Sequence, residues 1–205
     1  MKELLERVVE EMKKMGGVEI TGVEYSSYPR YAATDWNSNK IFINPRSFGE
    51  FERKGMSKEE IIRAYLQHEY LGHRCLHPFD TARLTVEDLT LAEIIDADNF
   101  ETSCGILEIL DFECNTTVIA NRFDDIVANL KVWNLFGGEE LLTLYKNLKT
   151  ECTFDVIEKM FYQDVLGEDF GIYTEELQPY VDKLKEIDFL SGSPVKSISE
   201  CREQI

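Results

Sequence analysis

Three histidines are the residues of this chain whose types and spacing first suggest chemistry. His68, His73 and His77 are the only histidines in the sequence, and they fall within ten consecutive residues. An acid, Glu69, directly follows the first of them. Imidazole nitrogens are favoured zinc ligands, and a carboxylate beside a ligand can take the proton of a water that zinc has activated. The segment therefore predicts a zinc site suited to hydrolysis.

The spacing of the first two histidines is unusual. His68 and His73 are five positions apart rather than four, so the motif reads His-Glu-x-x-Gly-His. Five residues of a regular α-helix turn by about 500°, which leaves the two rings about 140° apart around the axis. A local π-type turn brings such residues closer. Gly72, which has no side chain, allows the backbone to open there or to lie close to a ligand. We therefore expect a helix that is widened between His68 and His73.

The third ligand is expected to be a carboxylate from a later helix, predicted over residues 103–134. Asp125 is the first choice, because Asn121 and Asn129 flank it one helical turn away on each side. Either amide could orient a ligand carboxylate or a histidine from outside the ligand shell. The alternatives are other acidic residues of the same predicted helix: Asp124, Glu113 and Asp111.

His77 belongs to a competing ligand set. It lies four residues after His73, a spacing that places both rings on one helical face, and Asp80 follows shortly after. Pro78 pushes His77 out of helical dihedral angles and ends the helix. We therefore interpret His77 as a helix-end residue or a hydrogen-bond donor to the transition state, and ligation by His77 is the alternative.

The hexapeptide from His68 to His73, HEYLGH, resembles the HELLGH motif of the dipeptidyl peptidase III family. In these zincins the two histidines bind zinc, the intervening Glu activates water, and a Glu of a downstream EExxAD motif is the third ligand. Residues 124–129, DDIVAN, are similar to EExxAD with shorter acids and a closing amide. The resemblance implies zinc held by His68, His73 and a downstream carboxylate, with Glu69 as the base.

Residues 121–129 also resemble the NxxxDxxxN helix of small predicted metallopeptidases. Those proteins have a strand similar to residues 40–45 before the helix that carries the His-Glu pair. The two resemblances cover the order of elements over residues 30–130 and imply a zincin-like fold. The resemblances imply a zinc site but no particular substrate, because dipeptidyl peptidase III is a far larger protein.

The sequence patterns around these residues predict an α+β fold, with strands in the first part of the chain and helices in the second. Apolar residues at helical spacing predict an amphipathic helix over residues 2–15, which ends at a glycine pair. A capping box, with Ser57 followed by Glu60, begins the helix of the histidines. Strands are expected over three short segments, which form a small antiparallel or mixed sheet packed on that helix: residues 18–25, 31–33 and 40–45.

The second half of the sequence is helical throughout. Helices are expected over five segments: residues 86–97, 103–134, 139–149, 153–166 and 174–187. We expect a single zincin-like domain over residues 1–190, in which 18–77 supply the sheet and active-site helix and 86–190 the helical part. Residues 191–205 are expected to form a polar tail.

The charge balance excludes two classes of partner. The chain has 205 residues, with 22 Lys and Arg against 39 Asp and Glu, which gives a formal net charge of −17. Such a surface repels phosphate backbones and anionic lipid, so neither nucleic acid nor a membrane is expected as a partner. The N-terminal segment lacks the apolar stretch of a secretory signal, and the five cysteines form no CxxC pair. We therefore expect a cytoplasmic protein with reduced thiols.

Together these features predict a zinc-dependent metallopeptidase with one zinc per chain. A peptide or protein is the expected substrate, adding to the sheet edge at residues 41–44, and Glu69 is the general base. One alternative is a catalytically inactive, zincin-like metal-binding or regulatory protein. A closed shell of His68, His73, Asp125 and His77 would indicate that alternative. Another is a metal hydrolase that acts on a non-peptide substrate, and the sequence sets no oligomeric state.

Overall fold

The computed structural model describes residues 1–76 and 116–186, with the side chains of residues 116–124 left out. These residues belong to two compact units. The first unit contains residues 1–76 and 127–147, and the second contains 116–126 and 148–186. Both helices and strands are present, so the α+β class is confirmed. The prediction of one domain over residues 1–190 stays a prediction, and the expected tail at 191–205 lies outside the described residues.

The N-terminal helix α1 (Lys2–Gly16) ends where the sequence predicts. Its apolar face is buried through Leu5, Val8 and Met12. Gly17 follows in the left-handed conformation at φ 73°, and its N–H donates to the carbonyl of Lys13. A residue without Cβ reaches this conformation at no steric cost, so the glycine ends the helix.

The sheet is mixed, as one of the two expected alternatives had it. Its three strands are β1 (Gly22–Tyr25), β2 (Ala32–Asp35) and β3 (Lys40–Ile43), in the order β1-β3-β2. The tight turn after β2 makes β2 and β3 antiparallel, with Ala33 opposite Phe42. The first strand lies on the other side of β3 and runs parallel to it. The third strand is therefore the central one.

The helix that leads to His68 and His73 follows a short connection. A 3-10 turn (Pro45–Ser47) and helix α2 (Phe48–Glu52) lead to α3 (Lys58–Leu66). The predicted capping box is present, since Ser57 N donates to Glu60 Oε2 and Glu60 N donates to Ser57 Oγ. Helix α3 buries its apolar side chains and continues without a break into a π-helix (Gln67–Leu76).

The later described segments are helical, as expected. They are α4 (Thr116–Phe136), α5 (Glu139–Asn147), α6 (Thr153–Leu166), a 3-10 turn (Glu175–Leu177) and α7 (Gln178–Lys185). The segment predicted at 86–97 and the first part of 103–134 lie outside the described residues. In the second unit, α6 and α7 pack through apolar residues such as Ile157, Phe161 and Val181. Within the described ranges, none of these helices is both long and apolar enough to cross a membrane.

Candidate metal centre

His68 and His73 lie on the π-helix, and this confirms the predicted widening. A π-helix bonds residue i to residue i+5, and the π geometry covers all of Gln67–Leu76. Residues five apart, such as His68 and His73, then lie one above the other instead of diverging by about 140°. The unusual spacing of the motif and the unusual helix therefore explain each other.

The two histidine rings face each other through their Nε2 atoms. His68 Nε2 lies 3.3 Å from His73 Nε2, and the rings stand nearly perpendicular, at 86°. Two nitrogens bound to one tetrahedral zinc at about 2.0–2.1 Å are about 3.3 Å apart. The separation of the two nitrogens therefore fits a pair of zinc ligands.

Asp125 completes a group of three possible ligands. One ligand atom each from His68, His73 and Asp125 lies within 4.8 Å of the other two.

The predicted ligands therefore converge among the described residues, and the alternatives are not tested there. His77, Glu113 and Asp111 lie outside the described residues, as does Asp80. The side chain of Asp124 also lies outside them. The choice of Asp125 over these alternatives stays a prediction, supported by its place in the group.

Asn129 orients His68. Its side chain is fully buried, and its Oδ1 lies 2.8 Å from His68 Nδ1. An amide oxygen only accepts, so Nδ1 carries the proton and the lone pair of His68 is on Nε2, the atom that faces His73. This contact is the role that the sequence predicted for Asn129, while the side chain of Asn121 lies outside the described residues.

Gly72 has a role in addition to the predicted one, since the opened backbone is present as the π-helix. The sequence assigned it to an opened backbone or a crowded ligand. In the structure, a Cβ at Gly72 would lie 3.0 Å from Ala128 Cβ and 3.4 Å from the Gln67 carbonyl oxygen. Ala128 lies between Asp125 and Asn129 on α4. The glycine therefore lets α4 approach closely enough for Asn129 to reach His68.

Glu69 is buried, with 7% of its surface exposed, and is held by the sheet. Its Oε2 accepts a hydrogen bond of 2.8 Å from Thr34 Oγ1 on β2. Glu69 is not a member of the group of converging ligand atoms in the described part of the chain. Glu69 is therefore a buried acid that directly follows His68 in sequence and has a hydrogen-bond partner on β2.

The first half of the π-helix is anchored by polar contacts with distant segments. Gln67 Oε1 accepts from the N–H of Leu141 at 2.9 Å, and Gln67 Nε2 donates to Glu140 Oε2 at 2.7 Å. These bonds tie the start of the π-helix to the start of α5. Tyr70 donates its hydroxyl proton to the Val18 carbonyl at 2.5 Å. Burial raises the pKa of Tyr70 to about 12, so the hydroxyl remains a donor at neutral pH.

The end of the π-helix is anchored in the same way. The guanidinium of Arg74 lies 4.4 Å from the centroid of the Trp36 ring and bonds Asn39 Oδ1, in the turn after β2. On the opposite side, Lys131 Nζ donates to the Leu76 carbonyl at 3.1 Å. Burial lowers the pKa of Lys131, while its cation occupies the favoured place at a helix C-terminus.

Sequence reasoning missed Thr34, Gln67, Lys131 and Tyr145. The Tyr145 ring centroid lies 6.2 Å from that of His68, and the same ring packs edge-on against Trp133. No local pattern marks these residues, because each reaches the π-helix from an element distant in sequence. Gln67 alone carried a signal, as a polar residue at a position where the helical pattern predicts burial.

The sequence matches no protein-family model, and neither a curated protein nor a solved structure is found to match this chain.

Proposed function

We propose that this protein is a zinc-dependent metallopeptidase with a zincin-like fold. The observation that carries the proposal is the convergence of ligand atoms from His68, His73 and Asp125, with a buried acid, Glu69, next to His68. Two imidazoles and one carboxylate form the donor set of an open catalytic zinc site, in which a fourth position remains for water or substrate.

A bound zinc ion supplies two things: it polarises a carbonyl group and lowers the pKa of a water molecule. The chain supplies the rest. His68, His73 and Asp125 would hold the ion, and Asn129 keeps the proton of His68 on Nδ1. Glu69 would accept the proton of the attacking water and return it to the leaving amine.

The expected substrate edge has to be corrected. Residues 41–44 were expected to accept an extended peptide, but β3 is the central strand and has neighbours on both sides. The strand β2 has one partner among the described residues. It is also the strand that contacts Glu69, through Thr34. The open side of β2 is therefore the better place for a peptide to add.

The register identifies the backbone groups on that side. Asn44 N donates to the Tyr31 carbonyl at 2.7 Å, which makes residues 31 and 44 a hydrogen-bonded pair. Such pairs alternate along an antiparallel ladder, so Ala33 and Asp35 also bond β3. The N–H and C=O groups of Ala32 and Thr34 then point away from β3, where a substrate backbone could pair with them.

A peptide library tests the proposal. The zinc-loaded protein should cleave library members, while Glu69→Gln should retain zinc and lose about 10²- to 10⁴-fold in kcat, because the amide cannot accept the proton. Loss of zinc in Glu69→Gln would make Glu69 a ligand. If the zinc-loaded wild type cleaves no peptide, the inactive metal-binding protein and the non-peptide hydrolase replace the peptidase proposal.

A further inference from the structure

The hydroxyl of Thr34 is the described contact that fixes the carboxylate of Glu69. Thr34 Oγ1 lies 2.8 Å from Glu69 Oε2 and 3.3 Å from the backbone oxygen of Glu69. We propose that Thr34 is the positioning residue of the general base. Its hydroxyl holds Oε2 by donating a hydrogen bond and leaves Oε1 as the oxygen that takes the proton. This inference rests on the proposed function, because it assigns Glu69 the role of base.

Two features make this bond more than a packing contact. Glu69 is 7% exposed, so bulk water does not compete strongly for its carboxylate. A hydrogen bond to a charged group also contributes more than one between neutral groups. Thr34 is also fixed itself, because it lies in a strand that pairs with β3. A long flexible acid is thereby held by a rigid element.

The position of Thr34 predicts which kinetic constant changes. Its backbone N–H and C=O point to the open side of β2, whereas its side chain contacts the base. Replacing only the side chain leaves the backbone groups in place for a substrate. A loss of the hydroxyl should therefore lower kcat and leave KM nearly unchanged.

Thr34→Val removes the hydroxyl but keeps the branched shape that strands favour. We expect kcat to fall by about 10- to 100-fold, the usual effect of displacing a reacting group or losing its outer hydrogen bond. KM should change by less than about twofold, and zinc content should not change. Thr34→Ser, which keeps the donor, should restore most of kcat. Thr143→Val, at an exposed threonine that bonds Glu139 within α5, is the matched control.

Crystal structures of the zinc-loaded wild type, Thr34→Val and Thr34→Ser give a readout that needs no substrate. The Glu69 carboxylate should leave its wild-type position in Thr34→Val and keep it in Thr34→Ser. The inference would be overturned if Thr34→Val left both the Glu69 carboxylate and kcat unchanged. It would also be overturned if Thr34→Ser lowered kcat as much as Thr34→Val does. If Thr34→Val does not fold, Thr34→Ala takes its place. If the wild type cleaves no peptide, the peptidase proposal fails, and the carboxylate positions still decide whether Thr34 holds Glu69.

Discussion

At the scale of single residues, the site is defined by which nitrogen of each histidine is available. Asn129 accepts the Nδ1 proton of His68, so Nε2 of that ring is an acceptor. Without an ion, His73 Nε2 can donate a proton across the 3.3 Å between the two rings. A cation that takes the place of this proton finds two nitrogens already at the separation that it requires. Binding a zinc ion therefore requires little reorganisation of the two histidine side chains.

The first prediction concerns zinc content. The purified protein should hold about one zinc per chain, and the double variant His68→Ala, His73→Ala should hold none, because one carboxylate alone binds zinc weakly. His77→Ala is the matched control among the three histidines and should retain the metal. Elemental analysis after dialysis measures this. Stoichiometric zinc in the double variant would remove both histidines from the site, and loss of zinc in His77→Ala would place His77 in the ligand shell.

The second prediction concerns Asn129. Asn129→Leu removes the acceptor for His68 Nδ1 at similar side-chain volume, and zinc affinity should fall by about 10- to 100-fold, as for other outer-shell partners of histidine ligands. Asn129→Asp keeps an acceptor oxygen and should bind zinc more tightly than the leucine variant. Competition with a chromophoric chelator gives the affinities. Equal zinc affinity in Asn129→Leu and the wild type would show that the ring is oriented without this bond.

At the scale of elements, the π-helix and α4 lie close together where Gly72 faces Ala128, two residues with small side chains or none. A Cβ on Gly72 would come within 3.0 Å of Ala128 Cβ, which is closer than packed carbon atoms normally lie. The π-helix and α4 can approach here because one of the facing residues has no side chain. We therefore expect a change at this contact to alter zinc binding.

The third prediction is that Gly72→Ala forces the two helices apart. Overpacking at a tight contact costs about 1–3 kcal/mol, and the better helix propensity of alanine offsets up to about 1 kcal/mol. The variant should lose about 1 kcal/mol in the free energy of unfolding and should bind zinc more weakly. Gly49→Ala is the matched control, because a Cβ at Gly49 in α2 meets no atom within 4 Å. Denaturant unfolding and zinc titration measure both effects.

A compensating change sharpens this test. Gly72→Ala combined with Ala128→Gly moves the methyl group to the other helix and should recover zinc affinity relative to Gly72→Ala alone. If Gly72→Ala binds zinc as well as the wild type, the close approach of the helices does not position Asp125.

The elements also show which features a sequence can predict. The π-helix follows from two histidines that must meet at a spacing of five, and α1 follows from its apolar face and its glycine end. The parallel pairing of β1 with β3 does not follow, because strand order depends on contacts between segments far apart in the chain. The prediction that a substrate adds at residues 41–44 was wrong for this reason. Thr34 was missed for the same reason, since nothing in its neighbourhood in sequence points to Glu69.

At the scale of the whole molecule, the net charge of −17 complicates any measurement of metal binding. A strongly acidic surface concentrates divalent cations around it without forming a specific site. Salt separates the two effects, because the Debye length falls from about 10 Å at 0.1 M to about 3 Å at 1 M ionic strength. Diffuse attraction is screened at high salt, whereas coordinate bonds from histidine and aspartate are not.

The last prediction is that zinc stabilises the folded protein specifically. A ligand that binds only the native state adds about 2.7 kcal/mol at a free concentration of 100 times its Kd. For a chain of this size, 1 kcal/mol raises the Tm by about 2–4 °C, so the Tm should rise by about 5–10 °C. The rise in Tm should persist in 0.5 M NaCl, because salt does not screen coordinate bonds. It should be absent in His68→Ala, because that variant lacks one ligand of a site that only the folded chain assembles. Thermal unfolding with zinc and with a chelator measures this. An equal rise in His68→Ala, or a rise that disappears with salt, would mean that zinc binds the acidic surface and not the site of His68, His73 and Asp125.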